Sequence, residues 1–267
     1  MSSPTPVELK EALVAYPRAL TLRAAASKSS NDLIELDRWY RTELRELVVE
    51  RMAQDKERRG YLEVAELGRL MEWKLARGKW RPRLVTLALS NTAALVRSVT
   101  LNSSTLERDE ALKHLSTLSG VGPATASAIL ALFHPAEFPF MSDEGMAMGR
   151  TGFKAEYTIK AWKEYVSSMQ EQLKSLGWEK MADLEMAHWS WAILRRYGGA
   201  QQDDKGARPS AGKKQDKKVS KAAPAKRKSE AREEEAVEGA EEEEEVVAKP
   251  SSSRAERAAK RVKAGSS

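Results

Sequence analysis

The chain has no cysteine and only three histidines in 267 residues. Without cysteine there are no disulfides, thiolate nucleophiles or cysteine-based zinc sites. A cysteine-ligated iron–sulfur cluster is excluded for the same reason. His114, His134 and His188 lie far apart and lack the spacing of metal ligands, so no metal is expected. No apolar run approaches the roughly 18 residues of a membrane span. Residues 7–26 carry Glu8, Glu11 and Pro17 and make a poor secretory leader. No segment alternates convincingly as a strand. These absences point to an all-α, soluble, intracellular protein with no membrane partner, expected as a monomer.

What is present divides unevenly. The net charge is +6 and the pI about 9.3, which modestly favours an anionic partner. Leu, Ile, Phe, Trp and Tyr are absent after Gln201, where Lys, Glu, Ala and Ser take over. Such a composition cannot bury enough apolar surface to order itself. Residues 200–267 therefore read as a disordered charged tail. Residues 1–30 read as a weakly ordered arm, because Pro17 interrupts two Ala-rich segments. Residues 31–199 read as one all-helical domain.

Within that domain the segment 107–133 stands out. Ser104 and Glu107 have the spacing of a capping box, and Glu107, Asp109 and Glu110 favour a helix start. Ser119-Gly120-Val121-Gly122-Pro123 cannot continue that helix. Its glycines admit positive φ, and Pro123 suits the first turn of a new helix over residues 124–133. A glycine hairpin opening a helix points backbone N–H groups in one direction, which makes a natural phosphate site. Gly120, Val121 and Gly122 would meet the phosphate backbone, with Thr125 and Ser127 adding hydroxyls. The ligand-free alternative is a plain helix–helix turn.

Upstream, Asn31 is expected to cap a helix reaching about Lys56, followed by a helix over 63–76 capped by Gly78. Trp73, Lys74, Arg77, Lys79, Trp80, Arg81 and Arg83 then crowd one helix corner. Interleaved cations and tryptophans can grip a nucleic-acid backbone and stack on bases; they can equally be an ordinary solvated corner around core tryptophans. Pro82 is expected to open a further helix burying Leu84, Leu87, Ala88, Leu95 and Val99. Later helices are expected over 158–176, ended by Gly177, and over 184–197, capped by Asp183.

The run GVGPATASAIL resembles the helix-hairpin-helix DNA-binding motif. Its continuation FHPAEFPFMSD is similar to the base-excision DNA glycosylase superfamily built on that motif. The likeness covers Leu115 to Asp143 as motif and about Leu84 to Tyr197 as helical architecture. It implies a partner in duplex DNA and the excision of a damaged or mispaired base. Phe138-Pro139-Phe140 matches the family's apolar-Pro-apolar run, and Asp143 matches its catalytic aspartate. Ala124 stands where members with lyase activity carry a lysine, so the resemblance implies the hydrolytic branch. The family often holds a monovalent cation on hairpin carbonyls; no other cofactor is implied. The chain departs from the pattern at Ser119, usually proline, and at Arg150, which is displaced from the arginine that often follows the aspartate.

Excising a base from a duplex requires that it leave the stack and enter a pocket. The transition state is oxocarbenium-like, so an ionised carboxylate beside the sugar stabilises it and can orient a water. Asp143 suits that role, although Ser-Asp before a turn is also an ordinary helix cap, and Glu144 could substitute for it. Phe140 and Met141, with His188, Trp189 and Trp191, are candidates for the pocket wall; tryptophans at helical spacing are otherwise core residues. In the tail, Lys213-Lys214 with Lys226-Arg227-Lys228 has bipartite nuclear-import spacing, and Lys260-Arg261-Val262-Lys263 is a second cluster. They predict an import receptor as partner and the nucleus as location. Other readings are a non-catalytic DNA-binding or chromatin-associated module, or a protein–protein adaptor.

Overall fold

A computed structural model describes residues 3–26, 32–149 and 156–201. Among these residues the secondary structure is helical, with no strand. Arg150 and the charged tail lie outside them, so the import clusters do as well. No single helix among the described residues is long and apolar enough to cross a membrane.

The N-terminal segment is not a weakly ordered arm. It forms α1 (Pro6–Val14) and α2 (Tyr16–Ala26). Thr5 and Glu8 make a reciprocal capping box at the start of α1. Pro17 is the second residue of α2, where its missing N–H costs no helical bond. Leu9, Ala12, Tyr16, Ala19, Leu20 and Leu22 are buried, and both helices pack on α12 (Met181–Tyr197). Tertiary packing rather than local propensity orders them.

The expected long second helix is two, α3 (Leu33–Arg41) and α4 (Glu43–Gln54). The break is at Thr42, whose hydroxyl donates to the Arg38 carbonyl and so competes with regular helix continuation. Asp32 caps α3 by accepting from the N–H groups of Ile34 and Glu35. Next comes α5 (Val64–Arg77), ended by Gly78.

The helix expected from Pro82 is also two, α6 (Pro82–Leu89) and α7 (Ala93–Ser103), meeting at 95°. Thr92 caps α7 through its hydroxyl. This elbow turns Leu95 to solvent, 45% exposed, so it is not a core residue. Nor does Ser104 form the expected capping box. It is buried and accepts from the Gly60 N–H at 2.9 Å, while α8 (Arg108–Leu115) follows Glu107.

Helix α9 (Pro123–Phe133) is the hub. Every residue from Ala124 to Phe133 is buried, as in a helix packed on all sides. After it come α10 (Asp143–Gly149) and α11 (Ile159–Leu176), which is closed by Gly177 in the left-handed conformation at φ +65°. Helix α12 begins at Met181 after Lys180, not at an Asp183 cap.

Two buried carboxylates tie these helices together. Asp37 accepts from the Tyr16 hydroxyl at 2.7 Å and the Trp73 indole at 2.8 Å, and pairs with Arg41. Glu185 pairs with Arg77 at 3.1 Å, both side chains 2% exposed, and accepts from the Ser142 hydroxyl at 2.6 Å. Breaking a buried pair leaves an uncompensated charge in low dielectric. Glu185→Ala is therefore expected to lower the unfolding free energy by about 3–5 kcal/mol in chemical denaturation.

Candidate functional site

One cleft of about 520 Å³ opens beside the hairpin. Its walls come mainly from three stretches distant in sequence, with Trp189 of α12 behind them. The end of α5 and the following loop contribute Lys74, Arg77, Lys79 and Arg81; the hairpin contributes Gly120, Gly122 and Thr125. The start of α10 contributes Ser142, Asp143 and Glu144, with Phe140 and Trp189 completing the apolar part. Lys74 and Arg77 face the cleft together because residues three apart share a helix face.

The hairpin is built as its glycines require. Gly120 has φ +76°, and a Cβ there would lie 2.9 Å from the Ala88 N atom and from Leu87 Cβ. Its constraint is thus close packing against α6 rather than room for a ligand. Gly122 has open space around it and is the hairpin position at which another backbone could approach. Asn91, at the α6–α7 elbow, holds the turn from outside, accepting from the Ser119 N–H and donating to the Ser119 carbonyl. The Val121 side chain is buried. The Leu118 carbonyl accepts from the Val121 N–H.

The hydroxyl candidates have internal roles. Ser127 is fully buried, accepts from the Met141 N–H at 2.9 Å and donates to the Ala124 carbonyl. It fastens the Phe140–Met141 segment of the loop to α9 and is not a surface contact. Thr125 is 1% exposed and accepts from Lys74 Nζ at 2.9 Å.

The cations also divide. Lys79, Arg81 and Arg83 are exposed; the first two line the cleft and Arg83 does not. Arg77 is not a rim cation. Besides Glu185, it lies over the rings of Trp73, Phe140 and Trp189, at 5.2, 5.4 and 4.5 Å. The Lys74 ammonium is partly buried. Burial pushes its pKa down to about 8; Arg81 acts in the same direction and Asp143 against it.

Asp143 is exposed at the cleft edge, the first residue of α10, and accepts a hydrogen bond from the Tyr157 hydroxyl. The helix cap is its neighbour. Ser142 Oγ accepts from the Gly145 N–H at 3.1 Å, three residues on, which is the N-cap pattern. The capping explanation for Asp143 therefore falls away. Glu144 is deeper, its side chain 11% exposed and 3.5 Å from Arg196, and burial raises its carboxyl above the usual range.

Phe140, Met141 and Trp189 line the cleft as a pocket wall would; Trp191 and His188 do not. His188 is 1% exposed, and burial lowers its pKa to about 4. It is a neutral core residue. Ser142, Tyr157 and Glu185 were missed from the sequence. Only Glu185 carried a signal there, a lone charge on the apolar face shared by Leu184 and His188.

Comparison of the chain with protein-family models, curated proteins and solved structures finds no match. The cleft must be read on its own chemistry. Among the described residues no group of three or more His, Asp or Glu side chains could hold a metal ion. What the cleft offers is a cationic rim, two adjacent carboxylates in unlike surroundings and an aromatic wall.

Two outcomes follow for this region. Gly120→Ala is expected to cost about 2–3 kcal/mol by denaturant titration, from the positive φ and the contact with α6. Gly122→Ala should cost below about 1 kcal/mol. The second concerns pH. His188 has a lower pKa folded than unfolded, so the unfolded chain takes up its proton first. Stability is then lost as pH falls from about 6.5 to about 4, by about 3 kcal/mol from this group. In a His188→Asn variant that component of acid destabilisation should be missing.

Proposed function

We propose that this chain binds duplex DNA across the hairpin and the cleft rim, and hydrolyses the N-glycosidic bond of a damaged or mispaired base. The observation that carries this reading is the convergence of hairpin, cations, carboxylates and aromatic residues on one cleft. Lys79 and Arg81 contact phosphates, with Arg83 extending the same surface. The backbone at Gly122 and the first turn of α9 offers N–H donors to a phosphate. These contacts position a duplex without reading its sequence.

An extruded base enters on the side of the cleft lined by Phe140 and Trp189. Asp143, at the cleft edge and free of capping duty, stabilises the oxocarbenium-like sugar and orients the attacking water. Tyr157 fixes its carboxylate through the hydrogen bond to Oδ1. Glu144 stays in reserve as a buried carboxyl near the same sugar. The tail's basic clusters serve as nuclear-import signals read by an import receptor, and place the activity in the nucleus, where base-excision repair occurs.

The test is single-turnover excision by the full chain on duplexes containing uracil, hypoxanthine, alkylated or oxidised purines, or mismatches, with abasic sites revealed by alkali. Wild type is expected to excise at least one of these. Asp143→Asn should slow excision by about 100-fold or more while leaving duplex affinity within a few-fold. Affinity should fall with salt at a log–log slope of about −2 to −3, for two or three neutralised phosphates. Salt-sensitive binding with no excision on any substrate would leave a non-catalytic DNA-binding module. Affinity that ignores salt would sink the phosphate contacts as well.

A further inference from the structure

A second cavity, of about 240 Å³, has no part in the excision chemistry. Phe140 lines both cavities. The Arg77–Glu185 pair joins them as well, Arg77 lining the cleft and Glu185 the second cavity. The rest of the lining comes from Tyr40 and Arg41 of α3, Arg45 of α4, the end of α9 and the start of α12.

The charges of this cavity do not close among themselves. Arg41 is paired with Asp37, and Glu185 with Arg77. Arg45, Lys180 and Asp183 line the cavity with no ion-pair partner among the described residues. Two cations against one carboxylate leave a positive charge uncompensated. Arg45 is half-buried, and its Nη1 donates to the carbonyls of Leu132 and Phe133 at 2.6 and 3.1 Å. Its Nε and Nη2 have no hydrogen-bond partner among the described residues. Burial works against its charge and lowers its pKa, with Tyr40 alone acting the other way. The first two amides of α12 are already taken, donating to the carbonyls of Ala136 and Pro135. Recognition at this end therefore falls to side chains.

The remaining surface is apolar. Tyr40 and Trp73 are stacked with ring centroids 3.7 Å apart, and Leu132, Pro135, Phe140 and Met186 join them. The volume equals about eight waters of liquid and falls below the roughly 300 Å³ at which sites for drug-sized ligands begin. It suits one ring with a short arm and is too small for an oligomer.

We propose that this cavity binds a small aromatic acid carrying a single carboxylate. The carboxylate pairs with the Arg45 guanidinium, whose planar fork of N–H donors fits it, and Lys180 adds its charge. The ring lies against the apolar lining. A phosphate dianion would bring a second negative charge beside Asp183 and Glu185, with one uncompensated cation to meet it. This site stands whether or not the neighbouring cleft acts on DNA.

The experiment titrates the full chain with phenylacetate and with phenylacetamide, its neutral counterpart, followed by calorimetry and by amide NMR shifts. Phenylacetate is expected to bind with a Kd in the millimolar range or below. It should move the amides of Ala131, Leu132 and Ala182 and leave those of Gly120 and Gly122 in place. Phenylacetamide should bind about 10-fold more weakly or worse, since it lacks the charge that strengthens the pairing. Arg45→Gln should weaken phenylacetate by about 10-fold as well, with circular dichroism checking its fold. Lys180→Gln, at an exposed position, should weaken it by a few-fold and decides the point if the Arg45 variant does not fold. Equal affinity for acid and amide would overturn the role of the cations. Inorganic phosphate moving the same amides as strongly would overturn the ligand class. Shifts confined to Gly122 and Thr125, or none at all, would overturn the site.

Discussion

The buried ion pair between Arg77 and Glu185 is the constraint on which the cleft depends. Taking both charges out of water is costly, and the cost is offset only where each finds further partners. Burial works against the Arg77 charge, and Glu185 together with Tyr16 and Asp37 outweighs it. The guanidinium lies among three aromatic rings, while Glu185 also receives the Ser142 hydroxyl. That hydroxyl caps α10, so one carboxylate on α12 fixes both the end of α5 and the start of the helix bearing Asp143. The Arg77 carbonyl is held in turn by Arg23 of α2. The walls of the cleft are therefore braced from behind by Glu185, which does not line the cleft itself.

Asp37 repeats the device on the other side of α5. Burial would raise its carboxyl; Arg41 and Arg77, with hydrogen bonds from Trp73 and Tyr16, hold it below the usual range. Trp73 in turn stacks on Tyr40 at 3.7 Å, and the Tyr40 hydroxyl reaches the Ala128 carbonyl of α9. This explains why the first two helices are ordered despite an undistinguished sequence. Tyr16 closes the Asp37 network and packs on Trp189, so α2 is a working part of the core.

How much of this could be read in advance follows from the range of the forces involved. The hairpin was legible because Gly120, Gly122 and Pro123 act through their own backbone conformations. The all-helical class was legible from periodicity and the lack of alternating segments. The gathering of Lys74, Gly122, Phe140 and Asp143 on one cleft was not legible, since nothing local links those positions. The breaks at Thr42 and Asn91 were not legible, because neither residue forbids a helix and each is decided by a hydrogen bond. Ser127 and Arg77 were assigned outward by residue type and prove internal. A hydroxyl or guanidinium serves a buried acceptor as well as a phosphate, and only packing decides between them.

The amide of Asn91 clasps the hairpin from its far side, while α6 fills the space that a side chain at Gly120 would need. The turn has consequently surrendered its conformational freedom when the protein folds. A ligand arriving at Gly122 meets amides already in position, and no chain entropy is left to lose at that moment. Whatever settles there is selected by a rigid template, so the turn should discriminate by shape and spacing of acceptors rather than by moulding itself around them.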